Sequence, residues 1–260
     1  MGMLVGVIHL PALPGSPRAA LTAAECARTA GNDARVLAAA GYDAIVVENF
    51  GDAPFFATHV PPITVAAMTA CALAVRAAAP GVSIGINVLR NDAESALSVA
   101  ICTNASFVRV NVHTGARVTD QGLVQGEAAT TLRLRRALGA EGIAIWADVD
   151  VKHSAPLGAR RPLAQEVEDL TKRGMADIVL VTGEGTGKGV DLDKLAAVKR
   201  ASGKPVLVAS GATLATLEVL ASSSDGVVVG SALRVGGIAG EPVDARLAND
   251  FASSFRKAFG

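Results

Sequence analysis

The sequence predicts a single (β/α)₈ barrel, and three observations lead to that prediction. The chain has 260 residues, close to the roughly 250 that one such barrel uses. Eight short β-branched runs recur along it, each followed by a loop and a helix-like stretch, and this alternation implies parallel strands. Several runs are apolar throughout, as expected for strands covered by protein on both faces. A doubly wound open sheet is the alternative, but eight regular units favour closure.

The order of predicted elements is regular from end to end. The strands cover residues 4–9, 44–48, 83–88, 107–112, 143–149, 177–182, 205–210 and 226–230. The helices cover residues 22–40, 63–79, 92–103, 126–138, 163–173, 192–202, 214–222 and 243–259. Thr22 and Glu25 have the spacing of a capping box, and Asp92 and Asp191 stand where a side chain can cap a helix N-terminus. Three glycines are expected to end helices in the left-handed conformation: Gly41, Gly174 and Gly203. No linker interrupts the pattern, so residues 1–260 are interpreted as one domain.

The composition disfavours several classes of partner. Twenty-four basic residues balance twenty-four acidic ones, so no basic field would attract nucleic acid. The longest apolar segment, residues 63–75, is too short to span a bilayer, and no secretion signal is recognisable. Three cysteines lie in predicted helices among alanines, where buried small hydrophobic side chains are expected: Cys26, Cys71 and Cys102. We therefore expect a cytoplasmic protein with a small-molecule partner and no membrane insertion.

Polar side chains collect at the carboxyl ends of the first five predicted strands. Chemistry in barrels of this class occurs at that face, so the recurrence predicts a site there. The candidates for substrate binding are His9, Asn49, Asn87, Arg90, Asn91, Arg109, Asn111 and His113. The candidates for catalysis are Glu48, Asp148, Asp150, Lys152 and His153. We expect Glu48, Asn87, Arg109, Asn111, Asp148 and Lys152 in particular to converge on one cavity.

Alternation along the fifth strand suggests roles for its polar residues. If the even positions face inward, Asp148 and Asp150 both project into the barrel mouth, with Lys152 above them. Asp150 is then the preferred general acid or base, with Asp148 as its orienting partner or as a second carboxylate. Lys152 could stabilise an oxyanion or form a Schiff base. The alternative for the carboxylates is a structural salt bridge with Arg109.

Metal and phosphate binding are further possibilities at the same face. Glu48, the two aspartates and three histidines (His9, His113 and His153) could hold a divalent metal, but no compact ligand motif appears, so no cofactor is predicted. The seventh and eighth strands end in glycines beside serines, a pattern that binds phosphate through backbone donors. These residues are Ser210, Gly211, Gly230 and Ser231. The alternative is that they only allow tight turns.

The glycine-rich loop at residues 182–189 does not fit a nucleotide-binding loop. The required glycine spacing is absent, and no Ser or Thr follows Lys188. We interpret this loop as a lid over the barrel mouth or as a simple solvated connection.

Several longer strings resemble the BtpA family, also called BtpA/SgcQ. They are VIHLPALPGSP at 7–17, VENFGD at 47–52, GINVLRND at 85–92, RVNVHTG at 109–115 with TDQG at 119–122, and ADVDVKH at 147–153. The resemblance covers almost the whole chain and implies a barrel fold. The family is named for a role in photosystem I complex biogenesis, and some relatives are associated with sugar-metabolism gene sets. Asp150 stands where the family commonly has His, which shifts the expected chemistry toward Asp148, Lys152 and His153.

Three functions are compatible with these observations. The first is an enzyme that acts on a small sugar-like compound, phosphorylated or nucleoside-like, by isomerisation, aldol-type cleavage or N-glycosidic hydrolysis. The second is a non-enzymatic factor for the biogenesis or stability of a membrane complex such as photosystem I. The third is a protein that binds or senses a ligand without turnover. Alanine-rich outer helices further suggest a homo-oligomer.

Overall fold

A computed structural model describes residues 2–183 and 189–260. Eight parallel strands close into a barrel whose neighbours run, in order, β1, β2, β3, β4, β7, β9, β10 and β11, with β11 pairing back to β1. Their bounds are β1 Met3–His9, β2 Ala44–Glu48, β3 Ser83–Asn87, β4 Phe107–Val110, β7 Ala144–Val149, β9 Ile178–Val181, β10 Val206–Ala209 and β11 Gly226–Val229. The predicted (β/α)₈ barrel is confirmed.

Helices cover the outside of the barrel. They are α1 Ala23–Ala39, α2 Pro62–Ala78, α3 Ala93–Cys102, α4 Ala128–Ala137, α5 Leu163–Glu168, α6 Leu192–Ser202, α7 Leu217–Ala221 and α8 Ala245–Phe259. The α5 helix continues as a π-helical turn, Asp169–Arg173, and a 3₁₀ turn, Leu214–Thr216, precedes α7. The predicted capping box of Thr22 and Glu25 begins α1, and Asp92 and Asp191 cap α3 and α6.

One predicted helix end is wrong. Gly41 and Gly203 adopt the expected left-handed conformation, but Gly174 has φ −80° and the next residue, Met175, takes the positive φ instead. Gly174 is required for space: a Cβ there would lie 2.7 Å from the Thr114 side chain and 2.8 Å from the Leu170 carbonyl. The glycine therefore allows the helix to approach the loop after β4.

A small antiparallel sheet that the sequence did not predict extends the carboxyl-terminal face. Its strands are β5 Ala116–Thr119, β6 Gly122–Gln125 and β8 Ala155–Pro156, arranged in the order β6-β5-β8. The first two form a hairpin after β4, and β8 follows β7, so the sheet joins the loops of two adjacent barrel strands. It shifts the start of the fourth helix to Ala128.

The barrel interior is packed with apolar side chains rather than hollow. Phe107 and Trp146 stack with ring centroids 3.6 Å apart, and a Cβ on Gly85 would lie 2.0 Å from the Phe107 ring. These side chains belong to an inner cluster that also contains Val5, Val46, Leu180 and Leu207. A packed interior confines ligand binding to the ends of the barrel.

The expectation that all three cysteines are buried holds for two of them. Cys26 and Cys71 are buried as expected, but Cys102, in the last turn of α3, is exposed. Within the two described segments, we find no helix whose length and apolar content would let it cross a bilayer.

Candidate functional site

A cavity of about 330 Å³ opens at the carboxyl-terminal ends of the barrel strands. Its volume is at the small end of the range for ligand sites. The predicted site residues that line it are His9, Glu48, Arg90, Arg109, Asn111, Lys152, His153, Ser210, Gly211, Gly230 and Ser231. They come from strands all around the barrel because the carboxyl ends of parallel strands meet at one face. Ionisable groups from β1 to β7 thus face the glycine-containing loops that follow β10 and β11.

The floor of this cavity is a buried ion pair. Arg109 donates from Nε to Asp148 Oδ1 at 3.2 Å and from Nη2 to Asp148 Oδ2 at 3.0 Å. Asn111 donates to the same carboxylate at 2.8 Å, and Asn87 donates to the Arg109 carbonyl oxygen at 3.0 Å. Burial would lower the pKa of Arg109, but the carboxylates of Asp148 and Glu48 outweigh it and raise that pKa.

This geometry gives Asp148 a positioning role. Its side chain is fully buried, its oxygens are occupied by Arg109 and Asn111, and it does not line the cavity. The structural salt bridge with Arg109, considered above as the alternative, is the arrangement found. Asn87 also lies within the network that supports Arg109 and does not line the cavity.

Glu48 and His9 form the ionisable wall next to Arg109. Glu48 Oε1 lies 3.8 Å from His9 Nε2, and Glu48 Oε2 lies 4.0 Å from Arg109 Nη1. The Gly240 N–H donates to His9 Nδ1 at 3.3 Å, so Nδ1 is the acceptor and neutral His9 carries its proton on Nε2, toward Glu48. Burial, and secondarily the charges of Arg234, Lys152 and Arg109, hold the pKa of His9 well below its usual value.

Lys152 and Arg90 form another part of the cavity wall. The Lys152 backbone N–H donates to Thr182 Oγ1 at 3.0 Å, and Arg90 Nη2 donates to the Lys152 carbonyl oxygen at 2.9 Å. Burial, together with the neighbouring positive charge of Arg109, lowers the pKa of Lys152. His153 has φ 56° and an exposed side chain. Its partial desolvation, and then the charges of Lys152 and Arg90, lower its pKa.

The loops after β10 and β11 form the wall predicted to hold phosphate. Ser210 and Gly211 have φ values of 117° and 82°, a region that L-residues such as Ser210 rarely occupy. Gly230 has φ −127°, which any residue can adopt, but a Cβ there would lie 3.0 Å from the His9 ring. Gly230 is therefore needed for space and keeps this side of the cavity open.

Sequence reasoning missed Arg234, whose buried side chain bonds the backbone of the loop after β11. Its side chain is 1% exposed, and it donates to the carbonyl oxygens of Val7 (2.9 Å), Gly230 (2.5 Å) and Glu241 (2.7 Å). Nothing in the local motif reveals these contacts, because Val7 is 227 positions away. The only available signal was an arginine soon after the last strand, among apolar residues.

Asp150 does not face the cavity, and the expectation that both aspartates project into the barrel mouth does not hold. Asp150 has φ 51°, which ends the alternation of β7. Its carboxylate pairs with Arg117 at 3.3 Å, Arg160 at 3.1 Å and Lys194 at 2.9 Å. Burial would raise the pKa of Asp150, but these three cations outweigh it and lower that pKa. Asp150 lines a neighbouring cavity of about 180 Å³, whose lining also includes Asn111 and Asp148.

Three other predicted binding residues have structural contacts instead. Asn49 donates to Asp52 and accepts from the Leu89 backbone N–H at 2.7 Å. Asn91 bonds both backbone groups of Val112. His113 lies beyond the end of β4, with Nε2 2.8 Å from the Gly174 carbonyl oxygen, and burial lowers its pKa. Asn49, Asn91 and His113 therefore position the loops around the site rather than lining the cavity.

The sequence also raised the hypotheses of a metal site and of a lid over the barrel mouth. Among residues 2–183 and 189–260, no three His, Cys, Asp or Glu side chains are grouped so that they could hold a metal ion. Of the six residues named as possible metal ligands, His9, Glu48 and His153 line the cavity, and Asp148, Asp150 and His113 do not. The lid hypothesis concerns residues 182–189, of which 184–188 lie outside the described residues.

The burial of His9 predicts how stability depends on pH. An unfolded histidine titrates near pH 6.5, whereas native His9 takes up its proton only at a much lower pH because it is buried beside cations. As the pH falls below about 6.5, the unfolded state binds a proton that the native state does not. Stability then declines by up to about 1.4 kcal/mol per pH unit for this residue. Urea unfolding from pH 7 to pH 5 should show a smaller decline in His9→Gln, and equal slopes would contradict the prediction.

Solved structures of other barrel proteins align with nearly the whole chain. It aligns with N-(5'-phosphoribosyl)anthranilate isomerase from Pyrococcus furiosus at a TM-score of 0.58 and 16% identity, covering 98% of this chain and 99% of that one. It aligns with KGPDC from Streptococcus mutans at a TM-score of 0.59 and 14% identity over the full length of both. Identities this low show the shared fold alone.

Sequence relatives are much closer. The chain is 44% identical over 244 residues to the photosystem I biogenesis protein BtpA of Synechocystis, covering 93% of this chain and 83% of that protein. It is 40% identical over 240 residues to an uncharacterized protein of Pyrococcus furiosus, covering 92% and 89%. The family model described as the BtpA family matches residues 2–257. On this evidence, the chain belongs to the BtpA family.

Proposed function

We propose that the protein is an enzyme that converts a small, sugar-like phosphorylated or nucleoside-like compound by acid–base chemistry. One observation carries the proposal: a single cavity at the catalytic face of the barrel has ionisable groups on one side and glycine- and serine-containing loops on the other. The candidate reactions are an isomerisation, an aldol-type cleavage and an N-glycosidic hydrolysis.

The loops after β10 and β11 suit a phosphate group. Gly211 and Gly230 let a ligand approach the backbone closely, and the hydroxyls of Ser210 and Ser231 can donate hydrogen bonds. The buried guanidinium of Arg234 bonds the Gly230 carbonyl oxygen and places a positive charge behind the loop. An anionic group is therefore the ligand chemistry that this wall favours.

The opposite side of the cavity can move protons. Lys152 has a lowered pKa because it is buried near Arg109, which makes its neutral amine accessible closer to neutral pH for proton transfer or Schiff-base formation. Glu48 can accept a proton from a substrate carbon or hydroxyl, and neutral His9 can donate from Nε2. Arg109, fixed by Asp148, can stabilise a developing oxyanion. A barrel of the same fold is named as an isomerase of a phosphoribosyl compound, which is compatible with this chemistry.

Thermal-shift measurements with matched sugars test the proposal. We expect ribose 5-phosphate and related sugar phosphates to raise the melting temperature, and ribose itself to have much less effect. Gly230→Val should abolish the shift, because its side chain would fill the phosphate wall next to His9. Gly81→Val is the matched control, since a Cβ at Gly81 meets nothing within 4 Å. Compounds that bind are then followed by NMR for conversion. No stabilisation by any phosphorylated or nucleoside compound would contradict the proposal.

A second candidate function rests on the Synechocystis relative, which is named for photosystem I biogenesis. In this alternative the protein is a non-enzymatic factor that promotes assembly or stability of a membrane complex. The two functions differ in what they require of the cavity. Co-sedimentation with membranes that is unchanged in Glu48→Gln and Gly230→Val, without turnover of any bound compound, would favour the assembly function.

A further inference from the structure

The cavity has a second cationic wall that the phosphate loops do not explain. Arg90 and Lys152 both line it, and Arg90 is only 7% exposed. Among the described residues, no carboxylate oxygen lies within 4.0 Å of either cation, whereas Arg109 is paired with Asp148. The hydrogen bond of Arg90 to the Lys152 carbonyl oxygen holds the two cations on the same side.

Two cations that have no carboxylate partner among the described residues are costly in this cavity unless a ligand compensates their charge. Burial removes the hydration of a charged group, and structures normally offset that cost with a partner of opposite charge. Glu48 is a carboxylate in the same cavity, but its close contacts are with His9 and Arg109. Within residues 2–183 and 189–260, the Arg90–Lys152 pair therefore has no carboxylate partner, and it can bind an anion that enters the cavity.

The position of this pair relative to the phosphate loops is set by barrel topology. Arg90 follows β3 and Lys152 follows β7, and β4 lies between those strands. In the closed ring of eight strands, β4 is four strands from β11 in either direction. The Arg90–Lys152 pair and the β11 loop thus face each other across the cavity mouth.

We propose that the substrate carries two anionic groups, a phosphate at the loops after β10 and β11 and a carboxylate at the Arg90–Lys152 pair. This inference deepens the proposed function and rests on it. A carboxylate fits the second position because the Arg90 guanidinium presents planar donors and protonated Lys152 presents a point charge. The protonated form of Lys152 binds the carboxylate, and only the neutral form is available for proton transfer. A phosphorylated sugar acid, rather than a neutral sugar phosphate or a nucleoside, is the substrate class that satisfies both walls.

Calorimetric titration with a matched pair of probes tests the inference. Glycerol 3-phosphate and 3-phosphoglycerate have the same three-carbon frame and phosphate, and differ in a hydroxymethyl group against a carboxylate. We expect 3-phosphoglycerate to bind about 10- to 100-fold more tightly, the range expected for charge-assisted hydrogen bonds to one carboxylate. Lys152→Gln should remove most of that advantage, because it should weaken the binding of 3-phosphoglycerate more than the binding of glycerol 3-phosphate. Equal weakening for the two probes would contradict a carboxylate site at Lys152.

The controls separate the two proposals. Lys172→Gln removes the same charge from an outer helix, where Lys172 pairs with Glu168, and should leave the preference intact. Arg90→Lys keeps the charge but loses the planar fork, and should reduce the preference without abolishing it. Equal binding of the two probes to the wild type would overturn the second anionic group and leave the phosphate wall standing. If neither probe nor inorganic phosphate binds, the phosphate wall is overturned together with this inference.

Discussion

Replacing Arg109 with leucine is expected to lower the free energy of unfolding by about 3–5 kcal/mol, the usual cost of breaking a buried ion pair from one side. Arg109 is 8% exposed, and its partner Asp148 has a fully buried side chain. Without the guanidinium, the hydrogen bond from Asn111 is the one that the Asp148 carboxylate retains among the described residues. Urea unfolding at neutral pH measures the change.

Two further variants identify the cause of the loss. Combining Arg109→Leu with Asp148→Leu also removes the carboxylate charge that Arg109→Leu leaves without a cation. The double variant should therefore recover a large part of the lost stability. Arg246→Ala breaks an exposed pair with Asp250 on α8, and exposed pairs of this kind contribute only about 0–1 kcal/mol. A decrease below about 1 kcal/mol in Arg109→Leu would mean that water or a side-chain rearrangement satisfies Asp148.

The parts of the site that could be predicted from sequence follow from strand periodicity. The carboxyl ends of parallel strands share one face, so His9, Glu48, Arg109 and Lys152 were expected together and line one cavity. Alternation placed Arg109 and Asn111 on the same face of the fourth strand, and both contact Asp148. Regular periodicity is information that a single chain contains.

The remaining features depend on geometry that begins where the strands end. Asp150 was assigned to the cavity because the alternation of β7 was extended beyond Val149, where the strand ends. The positive φ of Asp150 turns its side chain to the neighbouring cavity instead. His113 was assigned likewise, although β4 ends at Val110. The β5–β6–β8 sheet consists of strands of two to four residues, too short for a periodic signal. Arg234 bonds carbonyl groups whose proximity is created by barrel closure.

Glu48→Gln is expected to have opposite effects on turnover and on binding. If Glu48 is the general base, its loss should reduce kcat by about 10²- to 10⁴-fold, the typical contribution of a positioned base. The same substitution removes a negative charge from a cavity that also contains Arg90, Arg109 and Lys152, so an anionic substrate should bind more tightly. Single-turnover rates and calorimetric dissociation constants, measured with a compound converted by the wild type, separate these effects.

This opposition distinguishes a base from a residue that only shapes the cavity. A structural role for Glu48, through its contacts with His9 and Arg109, would weaken binding and turnover together, because the His9 and Arg109 side chains would shift. Glu166→Gln is the matched control: Glu166 is also a largely buried glutamate paired with an arginine, Arg117, but it lines the neighbouring cavity. Its kcat should stay within about twofold of the wild type, since general-base catalysis requires hydrogen-bond reach of the transferred proton. Unchanged kcat in Glu48→Gln would contradict the assignment of Glu48 as the general base, and Lys152 would then be the next candidate to test in that cavity.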